Sequence, residues 1–176
     1  MVQLLLSYGA EVHRPAQRGL KRTPLQQACE IGSFKIVKLL LDKKANVNDP
    51  PAQRGGGTAL QLAAISGSIK IARFLLAHGA FVHAPPAKAK GRSVFEGAAE
   101  YGRLEMLREL WVAVAGQGFS REQIEKAISL AESKGHRGCA EYIASLSSSA
   151  DFTTLEVDPF ITYDVGWGTS VTPSSL

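Results

Sequence analysis

Cysteine is scarce in this chain of 176 residues: Cys29 and Cys139 stand far apart, each within a helical pattern. That excludes a small domain stapled by disulfides. Two buried free thiols are expected instead, in a reducing intracellular compartment, cytoplasmic or nuclear. No apolar run reaches the length of a membrane span. The opening Met1-Val2-Gln3-Leu4-Leu5-Leu6 has no basic run and too short an apolar core for a signal peptide. No Gly-rich phosphate loop ending in Lys-Ser/Thr occurs, and Gly55-Gly56-Gly57 reads as a turn.

What is present is an ordinary globular balance, with 45% hydrophobic and 20% charged residues, which excludes a wholly disordered chain. The length suits one domain with a sizeable core. Charge is divided unevenly. Residues 1–95 hold fourteen Lys/Arg against four Asp/Glu (+10), and residues 96–176 hold six against twelve (−6), which together give the net +4. A basic front and an acidic back can steer a polar partner, a second copy, or the tail of the same chain.

The dominant signal is internal repetition. Thr23-Pro24-Leu25, Thr58-Ala59-Leu60 and Ser93-Val94-Phe95 recur at a step of thirty-five residues. Ala28, Ala63 and Ala98 keep that step, as do Gly32, Gly67 and Gly102, and Leu40, Leu75 and Leu110. A fainter copy comes after a step of thirty-three, with Ile128, Ala131, Gly135 and Ile143 matching Phe95, Ala98, Gly102 and Leu110. In each unit a hydroxyl residue caps a short helix. Small alanines admit a neighbouring helix, and a glycine ends the first helix. A second helix comes next with an apolar stripe, Ile36, Val37, Leu39 and Leu40 in one unit and Ile71, Phe74 and Leu75 in another. The second helices stop near Lys44-Ala45 and Gly79-Ala80, and long loops lead to the next unit. Two short helices cannot bury an apolar face alone, so stacking supplies the core. The expected fold is all-α, a solenoid of stacked helix-turn-helix units with extended finger loops.

The pattern Thr-Pro-Leu-x-x-Ala-x-x-x-Gly, then Ile-Val-x-x-Leu-Leu, then Gly-Ala-x-Val resembles the ankyrin-repeat family. One unit carries it as Thr23, Pro24, Leu25, Ala28, Gly32, Ile36, Val37, Leu39 and Leu40. The next carries Thr58, Leu60, Ala63, Gly67, Ile71, Leu75, Gly79, Ala80 and Val82, and the third carries Phe95, Ala98, Gly102, Leu107 and Leu110. The resemblance implies a binding scaffold without an enzyme's chemistry or a cofactor. Two departures stand out. The family's histidine after Leu, which ties the loop region together, is replaced by Gln26, Gln61 and Glu96, and glutamine is expected to tie that region more weakly. The loops are long and share a phrase: Pro15-Ala16-Gln17-Arg18-Gly19, Pro51-Ala52-Gln53-Arg54-Gly55 and Pro86-Ala87-Lys88-Ala89-Lys90-Gly91. Such fingers are similar to those of ankyrin arrays in large fungal proteins.

The array is expected over 1–146. Residues 1–10 read as the second helix of an incomplete repeat, 23–45, 58–80 and 93–115 as full repeats, and 120–146 as a divergent capping repeat. A chain that opens in mid-repeat is expected to leave an apolar edge, as a fragment or exon-shortened relative of a longer ankyrin protein or with a partner covering that edge, two readings that do not exclude each other. Ser120 to Gln123 reads as a capping box, with a longer first helix to about Lys134 and a second to about Leu146. Residues 147–176 form an acidic, aromatic-containing tail without Lys or Arg, expected to be partly docked or disordered.

No catalytic residue or metal site is proposed. His13 and His83 would lie about two repeats apart, too far to share one ion, and the cysteines have no ligand spacing. Glu96, Glu100, Glu105 and Glu109 read as solvated helix faces rather than an acid–base pair. The candidate binding surface comprises Arg14, Gln17, Arg18, Lys21, Arg22, Gln53, Arg54, Lys88, Lys90 and Arg92 on the fingers, with Gln27, Glu30, Ile31, Ile65, Ser66, Glu100 and Tyr101 by the first helices. The resemblance puts these on the concave face. Ile31, Ile65 and Tyr101 fall just before the helix-ending glycines, where apolar side chains can anchor a partner. The expected partner is a protein with an acidic surface or segment. Self-association, through the first edge or the tail, is the alternative. The basic front lacks an aromatic platform or recognition helix, which argues against nucleic acid. No membrane partner is expected.

Overall fold

The computed structural model describes residues 11–12, 22–114 and 118–148. Eight α-helices run through them: α1 (Pro24–Glu30), α2 (Phe34–Asp42), α3 (Ala59–Ser66), α4 (Ile69–Ala77), α5 (Val94–Glu100), α6 (Leu104–Ala113), α7 (Arg121–Ser133) and α8 (Arg137–Ser148). Among the described residues the β-pairing is limited to one isolated parallel bridge, Arg54 to Ala89.

Each first helix starts by one device. The hydroxyls of Thr23, Thr58, Ser93 and Ser120 accept from the amide three residues on, and the side chains of Gln26, Gln61, Glu96 and Gln123 accept from the capping residue's own amide. Such a cap contributes about 1 kcal/mol. Each first helix also ends by one device. Gly32, Gly67, Gly102 and Gly135 take φ of 72°, 76°, 67° and 78°, a left-handed geometry that costs glycine nothing. That turn lets the carbonyls of Ala28, Ala63, Ala98 and Ala131 accept from the amides of Ser33, Ser68, Arg103 and His136, at 3.0, 3.0, 2.8 and 2.8 Å.

The helices stack in two rows. α1, α3, α5 and α7 pack successively, α2, α4, α6 and α8 form the second row, and each first helix packs on its own second helix. The repeated alanines are what let the first row approach: Ala28, Ala63, Ala98 and Ala131 are all buried. Leu25, Leu60 and Phe95 fill one layer between the rows, and Leu40, Leu75, Leu110 and Ile143 another. The fourth unit departs from the expected register at one point. Ile128 is half-buried, whereas Ile124 and Ala127 are buried. α7 is 13 residues long against 7 in α5, so its added first turn brings Ile124 into the core.

The second helices end slightly before the expected positions, at Asp42 and Ala77, and turn out through Lys44 (φ 65°) and Gly79 (φ 81°). The reading of residues 1–10 as a helix and of the tail beyond Ser148 lies outside the described residues.

Candidate functional site

Two fingers are described, finger 2 (residues 46–57) and finger 3 (residues 81–92). Glutamine holds the base of each. Gln26 Nε2 donates to the carbonyls of Asp49 and Pro50, both at 3.1 Å, and Gln61 Nε2 donates to those of Ala84 and Pro85 at 3.0 and 3.3 Å. Both glutamines are buried, and both use Oε1 for the helix cap. One side chain therefore starts a helix with its acceptor end and fastens the following finger with its donor end. Each amide thus reaches two loop carbonyls.

The fingers also grip each other. The Gly55 amide donates to the Ala89 carbonyl at 2.8 Å, and the Ala89 amide to the Gln53 carbonyl at 3.0 Å. At their bases, Asn48 Nδ2 donates to the Gly79 carbonyl at 2.8 Å and Asn48 Oδ1 accepts from the Phe81 amide at 2.9 Å. The sequence reading missed Asn48; its only signal is a polar residue beside the helix exit. Since Arg54 and Ala89 are thirty-five apart in sequence, the bridge is in repeat register and sets Arg54 beside the turn that carries Lys88 and Lys90. Gln53, Arg54, Lys88 and Lys90 are all exposed. Among the described residues no carboxylate forms an ion pair with these three cations. Arg14, Gln17, Arg18 and Lys21 lie outside the described residues, as does His13.

The other two basic candidates are internally paired. Arg22 holds Glu30, with Nη2 to Oε1 at 2.8 Å and Nε to Oε2 at 3.1 Å, and its Nη1 donates to the Gly55 carbonyl at 3.1 Å. Arg92 holds Glu100 at 2.7 Å, Nε to Oε2. Gln27 Nε2 adds a contact of 3.3 Å to Glu30. The expected basic face is thus narrower than the charge count implied, because two of its arginines are neutralised within their own units. In the middle unit the same positions hold Gly57 and Ile65. The Arg–Glu clamp is absent there, and half-buried Ile65 packs against Gly97, where an added Cβ would approach to 2.9 Å. Ile65 therefore belongs to the row of Glu30 and Glu100. Ser66, not Ile65, shares the row of Ile31 and Tyr101.

Ile31 and Tyr101 are 62% and 50% exposed, large apolar surface for an element end. Tyr101 borders a hollow with Glu100, Lys134 and His136. Ser66 faces inward and donates toward the carbonyls of Ala63 and Cys29 at 3.0 and 3.2 Å.

The glutamates of the third unit divide: Glu105 is exposed on its helix face as expected, while Glu96 is buried and Glu100 and Glu109 are half-buried. Glu96 is buried and pairs with Lys126 of α7 at 3.1 Å, Glu105 pairs with Arg108, and Glu109 with Arg73 across α4 and α6. Glu96 stands where Gln26 and Gln61 stand, yet a carboxylate has no donor for a finger carbonyl. It takes a lysine instead, and Lys126 is drawn from the polar face of the capping unit. Burial pushes the Cys29 thiol up to about 12 and raises Cys139 as well, so neither supplies much thiolate for chemistry at neutral pH. Among the described residues no three His, Cys, Asp or Glu side chains gather as a metal site, and no helix is long and apolar enough to cross a membrane.

Residues 1–86 match the family model for ankyrin repeats, in three copies. The chain carries ankyrin repeats. Beyond the matched segment the ankyrin-like pairing of a short capped helix with a second helix continues to Ser148. No curated protein matches the chain. Ankyrin repeats are in general protein–protein interaction modules and typically non-enzymatic.

Proposed function

We propose that this ankyrin array binds a protein partner through an acidic surface or segment laid along the fingers. The reading rests on the in-register bridge between fingers 2 and 3, which holds Arg54, Lys88 and Lys90 together while Arg22 and Arg92 are spent on Glu30 and Glu100. Neighbouring extended segments sit about 4.8 Å apart. Three cations on such a frame match carboxylates spaced along an extended chain. Ile31 and Tyr101 supply apolar contacts beside the polar strip, and the Gly57–Ile65 interruption offers an uncharged notch between two clamps. The reading also assigns Arg14, Gln17, Arg18 and Lys21, which lie outside the described residues, to partner binding, in a protein of the cytoplasm or nucleus.

The test is binding to an array of acidic peptides. The triple variant Arg54→Glu, Lys88→Glu, Lys90→Glu should lose about tenfold or more in affinity, and the wild-type affinity should fall steeply with salt. Equal binding by both proteins at low and moderate salt would remove the charge-based recognition.

A further inference from the structure

The row of fingers stops at finger 3. Residues 78–92 separate α4 from Ser93, but only residues 114–119 separate α6 from Ser120. The end of that shorter connection is occupied by Phe119, which is buried and stacks on Phe95 with ring centroids 4.1 Å apart, with His83 at 5.5 Å. Among the described residues finger 3 therefore has finger 2 on one side and no matching finger on the other. On that finger Lys88 and Lys90 are exposed, and Phe81 is 66% exposed at its start. Phe81 and His83 line a groove of about 630 Å³ with Pro85 and Val114. A cationic turn beside an apolar groove asks for an extended segment with acids on one face and apolar groups on the other.

The chain contains such a segment. Between 155 and 165, Leu155, Val157, Ile161, Tyr163 and Val165 fall on odd positions, and Glu156, Asp158, Thr162 and Asp164 on even ones, with Phe160 the one apolar interruption of the even set. That is the period of a strand with one apolar face. Pro159 suits an edge, where one backbone donor can be spared. The path is short as well. α2 and α4 each hand the chain into a finger, and α8 packs against α6 as α6 packs against α4. Two repeats of helix stacking span roughly 20 Å. The eight residues from Ser148 to Glu156 reach at most about 26 Å.

We infer that residues 155–165 of this same chain dock on the open side of finger 3, with Glu156, Asp158 and Asp164 toward Lys88 and Lys90, and that they compete there with the acidic partner. The competition rests on the function proposed above; the docking itself does not. The segment acts as a tethered stand-in for the partner, and a partner must displace it. Displacement lowers apparent affinity by the fraction of molecules whose surface is open.

Zero-length carbodiimide cross-linking of the full chain, with isotope-mixed protein to separate links within a molecule from links between molecules, tests the docking. Links from Glu156, Asp158 and Asp164 should concentrate on Lys88 and Lys90 within one molecule. They should fade near 1 M salt, where the Debye length is about 3 Å. Links spread evenly over Lys35, Lys43 and Lys70, or found only between molecules, would overturn the inference. A second measurement uses polyglutamate peptide as the probe. The variant Glu156→Gln, Asp158→Asn, Asp164→Asn should bind it about three- to tenfold tighter than wild type. Equal, measurable binding by both would reject the competition while keeping the finger surface. Finger-directed links without any peptide binding would keep the docking and reject the acidic-partner reading.

Discussion

The second and third units differ at one repeated position, and that difference decides whether a finger is fastened to the helix pair. Gln61 sits buried, caps α3 with its carbonyl oxygen and fastens finger 3 with its amide nitrogen. Glu96 sits equally buried and caps α5, but it faces Lys126 and no finger. Side chains of nearly one shape thus separate a unit followed by a projecting finger from a unit joined to the next by a short connection. What distinguishes them is a hydrogen-bond donor. A buried amide can serve a cap and a loop together; a buried carboxylate must find a cation.

Exchanging the two chemistries should give the largest effect. Gln61→Glu places a buried carboxylate against the Ala84 and Pro85 carbonyls, and should cost about 3–5 kcal/mol at neutral pH in chemical unfolding. The buried carboxyl's pKa would rise above the unfolded value near 4.3. The deficit should therefore shrink as pH falls toward that value, because a protonated carboxyl regains a donor. A loss independent of pH would mean that shape rather than charge mattered. The reciprocal Glu96→Gln keeps the cap and loses only the pairing with a half-exposed lysine, so about 1 kcal/mol or less is expected. Equal costs for the two exchanges would erase the distinction drawn here. The smallest effect concerns the helix exits, where Lys44 and Gly79 hold one left-handed geometry. Lys44→Gly should gain up to about 1 kcal/mol by relieving the left-handed side chain, offset in part by the freer unfolded chain, and Gly79→Ala should lose a similar amount.

Much of this architecture was legible in the sequence because it repeats. Thr23, Thr58 and Ser93 as caps, the alanine row, the glycine turns and the buried Leu40, Leu75 and Leu110 all derive from spacing and local backbone chemistry. The longer first helix after Ser120 was legible for the same reason. The ties of the fingers were not. Whether Gln26 and Gln61 reach loop carbonyls depends on how the adjoining loop folds back, which no local pattern states. Nor does composition tell a free cation from a spent one. Arg22 and Arg92 look like Arg54 in sequence, and only the positions of Glu30 and Glu100, eight residues on and one helix away, neutralise them. Glu96 and Glu109 were misread as solvated for that reason too, since their partners Lys126 and Arg73 are set by how the units stack, whereas Glu105 is exposed as expected.

The central claim is that fingers 2 and 3 form one braced surface rather than two loose loops. Amide hydrogen exchange at Gly55 and Ala89 measures it directly. Both amides should exchange at least about a hundredfold more slowly than an open loop, and Gln61→Ala should release Ala89 before it releases the helix amides of α3. Exchange at open-loop rates in the intact protein would contradict the account.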